Sequence, residues 1–137
     1  MTSYLYVAIG SAMGGVARFT LGGWIQHRLD QWIPRAGALP FPIGTLIVNV
    51  TGSFALGVLA VAIAREGEGA NVMRWLLAVG LCGGFTTFST FSQDTVTLME
   101  RGAGALAAMN VAASLALAFL ATIAGLALGR ALMPVRG

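Results

Sequence analysis

Hydroxyl and aromatic side chains alternate along the nine residues from Gly83 to Phe91, which read GGFTTFSTF. This segment lies inside a long apolar stretch, 72–99, where a span that only had to dissolve in lipid would be rich in Leu, Val and Ile. Two adjacent glycines followed by two β-branched threonines are unfavourable for an α-helix. We predict a helix interruption at membrane depth, which is tolerated only where the freed backbone is buried in protein or lines a polar cavity.

The polar side chains within the apolar stretches are mostly uncharged donors, and Asp94 is the one carboxylate near them. Amide N–H and hydroxyl O–H groups along a narrow path can replace part of the hydration shell of an anion. Phenylalanine ring edges carry the positive end of the ring quadrupole, and Phe88 and Phe91, at i and i+3, can line one path. The candidate donors are Asn49, Thr86, Thr87, Ser89, Thr90, Ser92, Asn110 and Ser114.

Packing roles stay open for the same residues. Phenylalanine pairs at helical spacing in membranes more often pack between helices than line a pore. Ser or Thr in such helices often bonds its own i−4 carbonyl. Asn49, Asn110 and Ser114 can also bridge helices without touching an ion. Arg18 is costly inside a membrane and is expected to face protein or water, with snorkelling to the interface near Trp24 as the alternative.

An interrupted helix leaves carbonyl oxygens without partners, and neutral oxygens at membrane depth favour a hard monovalent cation. One chain offers too few such ligands, so Gly83-Gly84 followed by Thr86-Thr87 leads to the hypothesis of a structural ion between two chains. Cys82 is the single cysteine, which excludes an intrachain disulfide. The sequence contains no nucleophile–base pair, histidine cluster or phosphate loop, so an enzyme is not expected.

Composition indicates a membrane protein, because 57% of the 137 residues are hydrophobic and 9% are charged. Soluble domains carry charge on about a quarter of their residues. The net charge of +3 is spread over short loops and does not favour nucleic acid, which needs a clustered basic face. With about 20 residues per crossing, the sequence predicts one all-α domain, 1–137, of four transmembrane helices with the third helix broken. The predicted spans are 4–25, 42–64, 72–99 and 103–132.

The predicted loops and the small residues within the spans complete this prediction. The stretch 26–41 is predicted as a polar loop, Arg65 to Gly69 as the next turn, and Pro134 as the end of the last helix. Small residues four apart allow close helix packing in lipid. The loop contains His27, Pro34 and Pro40, and the small-residue pairs are Gly10/Gly14, Ser11/Gly15, Ser53/Gly57 and Gly125/Gly129.

Arginines are nearly balanced between the two sides of the predicted topology. Four lie on the side of the N-terminus and three on the other, which is almost no bias under the positive-inside rule. A single orientation and a dual topology with antiparallel pairing therefore both stay open. The first set is Arg65, Arg74, Arg130 and Arg136, and the second is Arg28, Arg35 and Arg101.

The segment from Gly83 to Phe91 resembles the signature of the Fluc (CrcB) family of bacterial fluoride channels. Gly44-Thr45-Leu46, followed by Asn49, is similar to that family's second-helix signature, and Arg18 stands where the family carries an arginine. The resemblance covers essentially the whole chain. Asp94 departs from it, because the family more often has glutamate there.

This resemblance implies an antiparallel, dual-topology homodimer in the bacterial inner membrane, with two pores that export cytoplasmic fluoride passively. It implies that the ring edges of Phe88 and Phe91 line the fluoride path and that Asn49 donates its amide. It also implies a sodium ion at the dimer axis. The remaining implied site residues are Thr45, Asn110 and Ser114 along the path, Arg18 in the vestibule, and the backbone carbonyls of Gly83 and Thr86 at the sodium ion.

Two other functions compete with this interpretation. A small four-helix exporter of drugs or cations needs a buried carboxylate to couple protons to its substrate, and the predicted first span has Arg18 and no acid. A membrane assembly subunit without transport would use all its polar residues to hold helices together.

Overall fold

The computed structural model of the chain describes residues 1–32 and 41–133. The elements are α1 (Thr2–Trp32), α2 (Ile43–Glu66), a 3-10 turn (Gly67–Ala70), α3 (Met73–Cys82 and Gly83–Phe85), α4 (Phe88–Glu100) and α5 (Gly104–Leu132). The first part of α3 is a wide π-helix and the second is a single α-helical turn. Together, α3 and α4 make the third of four helical spans that are long and apolar enough to cross a membrane. The predicted all-α class with four such spans is confirmed.

The prediction of a loop from residue 26 was wrong for its first part, because α1 continues to Trp32 and His27 lies on that helix. Contacts one turn apart stabilise this last part of α1. The Arg28 guanidinium lies 5.5 Å from the centroid of the Trp24 ring, and Gln31 Nε2 lies 2.9 Å from His27 Nε2. Hydropathy marks where a helix leaves the apolar layer, and a helix without Gly or Pro can continue beyond that point.

The turn after the second span also begins later than predicted. Arg65 and Glu66 are the last residues of α2, and the chain turns at Gly67, where φ is +58°. That left-handed conformation is costly for a residue with a Cβ. The predictions that concern Pro34, Arg35, Pro40, Pro134 and Arg136 lie outside the described residues.

Glycines bring α1 and α3 into backbone-to-backbone contact. A Cβ added at Gly14 would overlap the carbonyl oxygen of Leu81 and lie 2.7 Å from Phe85 N. One added at Gly84 would lie 2.8 Å from Ser11 Cα. Lipid supplies no hydrophobic force between helices, so their packing depends on such close contacts. We call this contact, formed by Gly10, Gly14, Gly80 and Gly84, the glycine seam.

A second close contact joins α2 to α5. A Cβ at Gly57 would lie 3.0 Å from Leu126 N, and one at Gly125 would lie 3.1 Å from Val58 N. Thr122 Oγ1, which donates to Ala118 O at 3.0 Å on its own helix, lies 3.5 Å from Ser53 O across the same contact. The small-residue pairs predicted in these spans therefore lie where the helices meet, and the two helix pairs position the interrupted third span.

Large apolar side chains cover the outside of the helices. Phe19 is 83% exposed on α1, and Phe119 and Ile123 are 69% and 61% exposed on α5. Only 11 to 22% of the apolar window of each span is buried within the chain. A surface of this kind is stable in hydrocarbon and would aggregate in water, so the chain is a multi-pass membrane protein.

Gly14→Ala should lower the free energy of unfolding by about 1–3 kcal/mol, the usual cost of forcing extra atoms into a packed contact. Gly15→Ala is the matched control, because a Cβ at Gly15 meets no atom within 4 Å and alanine favours the helix. Denaturant titration in detergent, followed by tryptophan fluorescence, measures both. Equal stability of the two variants would contradict the close approach of α1 and α3.

Candidate functional site at the helix interruption

Two extended residues, Thr86 and Thr87, separate α3 from α4. Their backbone angles are φ −77°, ψ 155° and φ −149°, ψ 114°, which are extended values and not helical ones. The sequence argument placed the weak point at the two glycines and the two β-branched threonines together. Gly83 instead has φ −65° and ψ −37°, so the chain leaves the helix at the β-branched residues that follow.

Threonine hydroxyls close both helix ends at this point. Thr86 N and Oγ1 donate to Cys82 O, at 2.9 and 3.0 Å, where α3 ends. Thr87 Oγ1 accepts from Thr90 N at 3.2 Å at the start of α4 and lies 3.0 Å from Thr90 Oγ1. Such caps satisfy backbone groups that have no partner within a helix. The local sequence therefore stabilises the ends that it creates.

Asn49 of α2 pairs with the main chain of the extended segment. Its Oδ1 accepts from Thr87 N at 2.7 Å, and its Nδ2 donates to Thr87 O at 3.1 Å. These two bonds replace helical bonds that the interruption removes, and Thr87 is only 7% exposed. Nδ2 carries two hydrogens, so one of them remains for another acceptor while the pairing holds.

The same bonds free two carbonyl oxygens. In a continuous helix Thr87 N would donate to Gly83 O, and Thr90 N would donate to Thr86 O. Here Thr87 N donates to Asn49 Oδ1, and Thr90 N donates to Thr87 Oγ1. The freed oxygens suit a hard monovalent cation, which prefers neutral oxygen ligands. Among the described residues no group of three His, Cys, Asp or Glu side chains provides an alternative metal site.

A pocket of about 380 Å³, which we call the phenylalanine pocket, lies beside the interruption. It brings together side chains from α2, α4 and α5. The Phe88 and Phe91 ring centroids are 5.5 Å apart with the planes tilted by 46°, so ring edges as well as faces can meet a ligand. The predicted site residues in its lining are Asn49, Gly83, Thr86, Phe88, Phe91 and Ser114.

A larger pocket of about 840 Å³, which we call the arginine pocket, contains Arg18 and Asp94. Thr45 lies here and not in the phenylalanine pocket, and its Oγ1 donates to Asp94 Oδ2 at 2.8 Å. Thr87 lines both pockets and stands between them. Gln26 also lines the arginine pocket. It links α1 to the start of α2, because its Oε1 accepts a hydrogen bond from Gly44 N at 3.2 Å.

Asn110 and Ser114 have different surroundings, although the sequence placed them on one face. Ser114 lines the phenylalanine pocket, whereas Asn110 is 2% exposed and lines neither pocket. Asn110 Nδ2 donates to Thr95 Oγ1 at 2.9 Å. Ser114 Oγ lies 3.5 Å from Asn110 Oδ1, which is longer than an ordinary O–H···O bond.

Sequence reasoning missed two residues of this region, Thr95 and Gln26. Thr95 stands four positions after Phe91, a spacing that places its hydroxyl one turn along the same helix face, so the pattern could have indicated it. Gln26 fell in the stretch taken for a loop. Gln26 reaches Gly44 only because α1 continues past residue 25, and the hydropathy of the sequence does not indicate that continuation.

The family model described as CrcB-like protein, Camphor Resistance (CrcB), matches residues 5–126 of the chain. Curated relatives are similar over nearly their whole length. A "Fluoride-specific ion channel FluC" of Rhizobium johnstonii is 45% identical over 132 residues, which is 96% of this chain and 99% of the relative. One of Agrobacterium fabrum is 45% identical over 95% of this chain and 98% of its own length. One of Rhodospirillum centenum is 47% identical over 95% and 97%.

Asn49→Leu should open the extended segment locally, because it leaves the Thr87 N–H and C=O buried without partners. Each orphaned group costs about 1–3 kcal/mol, so exchange of the Thr87 amide hydrogen should accelerate by at least about tenfold. The Ala107 amide is the internal control, since it donates to Ala103 O at the start of α5 and has no bond to the extended segment. Hydrogen exchange measured by NMR in micelles decides this, and unchanged protection of the Thr87 amide would refute the pairing.

Proposed function

The chain belongs to the CrcB-like family, and from that premise we propose that it is a fluoride-selective channel that lets cytoplasmic fluoride leave passively. Close relatives are named as fluoride-specific ion channels, so the chain is a channel and not an enzyme. Fluoride enters cells as the weak acid HF and is released inside as the anion. A selective leak down the electrochemical gradient therefore lowers its toxicity.

The observation that carries this proposal is the phenylalanine pocket, where an amide, a hydroxyl and two aromatic edges from three helices meet. Fluoride is small and strongly hydrated, so it must be offered hydrogen donors as it sheds water. The free hydrogen of Asn49 Nδ2 and the loosely held hydroxyl of Ser114 provide two. The ring edges of Phe88 and Phe91 provide weak positive partners that do not trap the ion.

The arginine pocket serves as the vestibule in this proposal. A positive guanidinium at Arg18 raises the local concentration of anions, and low-dielectric walls strengthen its field. The carboxylate of Asp94 accepts a hydrogen bond from Thr45 Oγ1. This bond offsets part of the negative charge that would otherwise repel the passing anion. Thr87 separates this pocket from the phenylalanine pocket, so the ion loses water as it passes that residue.

An antiparallel homodimer with dual topology in the bacterial inner membrane completes the proposal. The balance of arginines supports it, because neither orientation is strongly favoured. The exposure of Phe88, 77% in the single chain, supports it as well, since a pore residue needs further protein around it to exclude lipid. In this arrangement the interruption lies at membrane depth, in a single four-helix domain.

A sodium ion at the axis of the dimer is the proposed partner of the freed carbonyl oxygens. Gly83 O and Thr86 O of one chain would supply two ligands, and the same atoms of the second copy would supply two more. When bound, the ion would neutralise the oxygen dipoles and join the two chains at their interruptions. The fit depends on the hydrogen bonds of Asn49 and Thr87 that leave these oxygens without helical donors.

Liposomes that contain the protein should release fluoride into a fluoride-electrode cell, whereas chloride should permeate poorly. Phe88→Ile or Phe91→Ile should reduce the release to the level of protein-free vesicles, because the aliphatic side chain lacks a polarised ring edge. Phe119→Ile is the matched control, since Phe119 is 69% exposed on the outer face of α5. Wild-type vesicles that retain their fluoride, or that release chloride equally fast, would refute the proposal.

Removal of sodium should weaken the dimer and slow fluoride release together. Exchange of sodium for a bulky organic cation during purification and assay should reduce both, and restored sodium should recover them. The organic cation is used at the same ionic strength as the sodium it replaces, so that general screening does not change. Full dimer stability and full flux in sodium-free buffer would rule out the bound ion without affecting the fluoride pathway.

A further inference from the structure

Asn110 and Thr95 form a pair that has no contact with either pocket and ends at the main chain of Phe91. We propose that this pair is a positioning device: Asn110 acts through the hydroxyl of Thr95 to fix the backbone carbonyl of Phe91, and only Ser114 of α5 meets the ion directly. The inference rests on the proposed fluoride pathway and assigns a part in it to Thr95. It also assigns different roles to Asn110 and Ser114, which are neighbouring polar residues of α5.

The bond nearest the pathway joins Thr95 Oγ1 to Phe91 O at 2.7 Å. Threonine in a helix often bonds the carbonyl one turn before it, and this extra donor bends the helix slightly. The direction of the Phe91 backbone sets the direction of its side chain. A hydroxyl held on this carbonyl therefore helps to set where the Phe91 ring edge points in the phenylalanine pocket.

Asn110 fixes the orientation of that hydroxyl. Its Nδ2 donates to Thr95 Oγ1 at 2.9 Å, which occupies an acceptor site of the oxygen, so the hydroxyl hydrogen is directed to Phe91 O. Asn110 is 2% exposed, and in a low-dielectric interior each such bond polarises the next. Without the amide, Thr95 could adopt other rotamers, and the anchor of Phe91 would be lost for part of the time.

Phe88 has a similar bond but no such support. Ser92 Oγ donates to Phe88 O at 2.9 Å, with no donor from another helix to fix the hydroxyl among the described residues. The Phe91 carbonyl, in contrast, is linked to α5 through the side chains of Thr95 and Asn110. The two rings are therefore unequal, because the backbone of Phe91 has a support from another helix that the backbone of Phe88 lacks.

Ser114 remains the direct contact from α5. Its hydroxyl lies 3.5 Å from Asn110 Oδ1, too long for a strong bond, and it lines the pocket. It can turn from Asn110 to an anion at little cost. Asn110 does not, because it is 2% exposed and lines neither pocket, so the second hydrogen of its Nδ2 does not point into the pathway.

Fluoride flux tests the role of the Thr95 hydroxyl. Thr95→Val removes the hydroxyl at constant shape and should slow fluoride release by about tenfold, near the upper limit for one hydrogen bond. Thr95→Ser retains the hydroxyl and should recover most of the rate. Thr51→Val is the control, since Thr51 also bonds its i−4 carbonyl, at 2.8 Å, but on the exposed face of α2. Unchanged flux in Thr95→Val, or equal losses in all three variants, would overturn the inference.

A double variant separates positioning from contact. Asn110→Leu should slow release in the wild-type background but add little to Thr95→Val, because both changes release the same carbonyl. If the two effects multiply in full, Asn110 acts on the ion by a route of its own and the pair is refuted.

Carbonyl NMR tests the anchor without any transport. With ¹³C-carbonyl phenylalanine and ¹⁵N serine, only the Phe88–Ser89 and Phe91–Ser92 peptides of this sequence carry both labels. Thr95→Val should shift the Phe91–Ser92 signal and leave the Phe88–Ser89 signal in place. If the Phe91–Ser92 signal does not move, the anchor is refuted. A wild-type chain that passes no fluoride would refute the proposed function instead. The NMR signals would still show whether the Thr95 hydroxyl bonds Phe91 O.

Discussion

A polar backbone in hydrocarbon must find its hydrogen bonds within the protein, and the pairing of Asn49 with Thr87 meets that requirement at the one interrupted span. Without partners, the N–H and C=O of Thr87 would each cost about as much as a lost hydrogen bond. The amide of Asn49 supplies both partners, at 2.7 and 3.1 Å. Because α2 is packed against α5 through glycine, the amide stays in register with the extended segment, and the pockets on either side keep their shape.

In the proposed pathway the two pockets divide the work of carrying an anion. The arginine pocket offers charge and space for water, whereas the phenylalanine pocket is smaller and lined by neutral groups. An ion attracted by charge alone would bind and stay, and neutral donors alone would not concentrate it. Thr87, shared by both pockets, marks the change from one environment to the other, and its own polar atoms are occupied by Asn49 and Thr90.

Much of the fold was predictable, because four long apolar stretches with small residues four apart leave few alternatives. The convergence of Asn49, Phe88, Phe91 and Ser114 followed from the resemblance, and spacing alone left packing roles open. Three-dimensional contacts decided the rest. The exit of the chain from the helix at Thr86 depends on a partner from α2, and the burial of Asn110 depends on how α5 meets α4. No periodicity within one segment carries that information.

The interruption also has an electrostatic consequence. A helix that ends at Phe85 and restarts at Phe88 turns a carboxyl end and an amino end toward each other inside one span. Each end carries a partial charge of roughly half an elementary unit, negative at the end of α3 and positive at the start of α4. One continuous helix would have placed those poles at opposite faces of the bilayer. Two short ones create neighbouring places for a cation and for an anion, so one segment, 83–91, can favour ions of both signs although it contains no charged side chain.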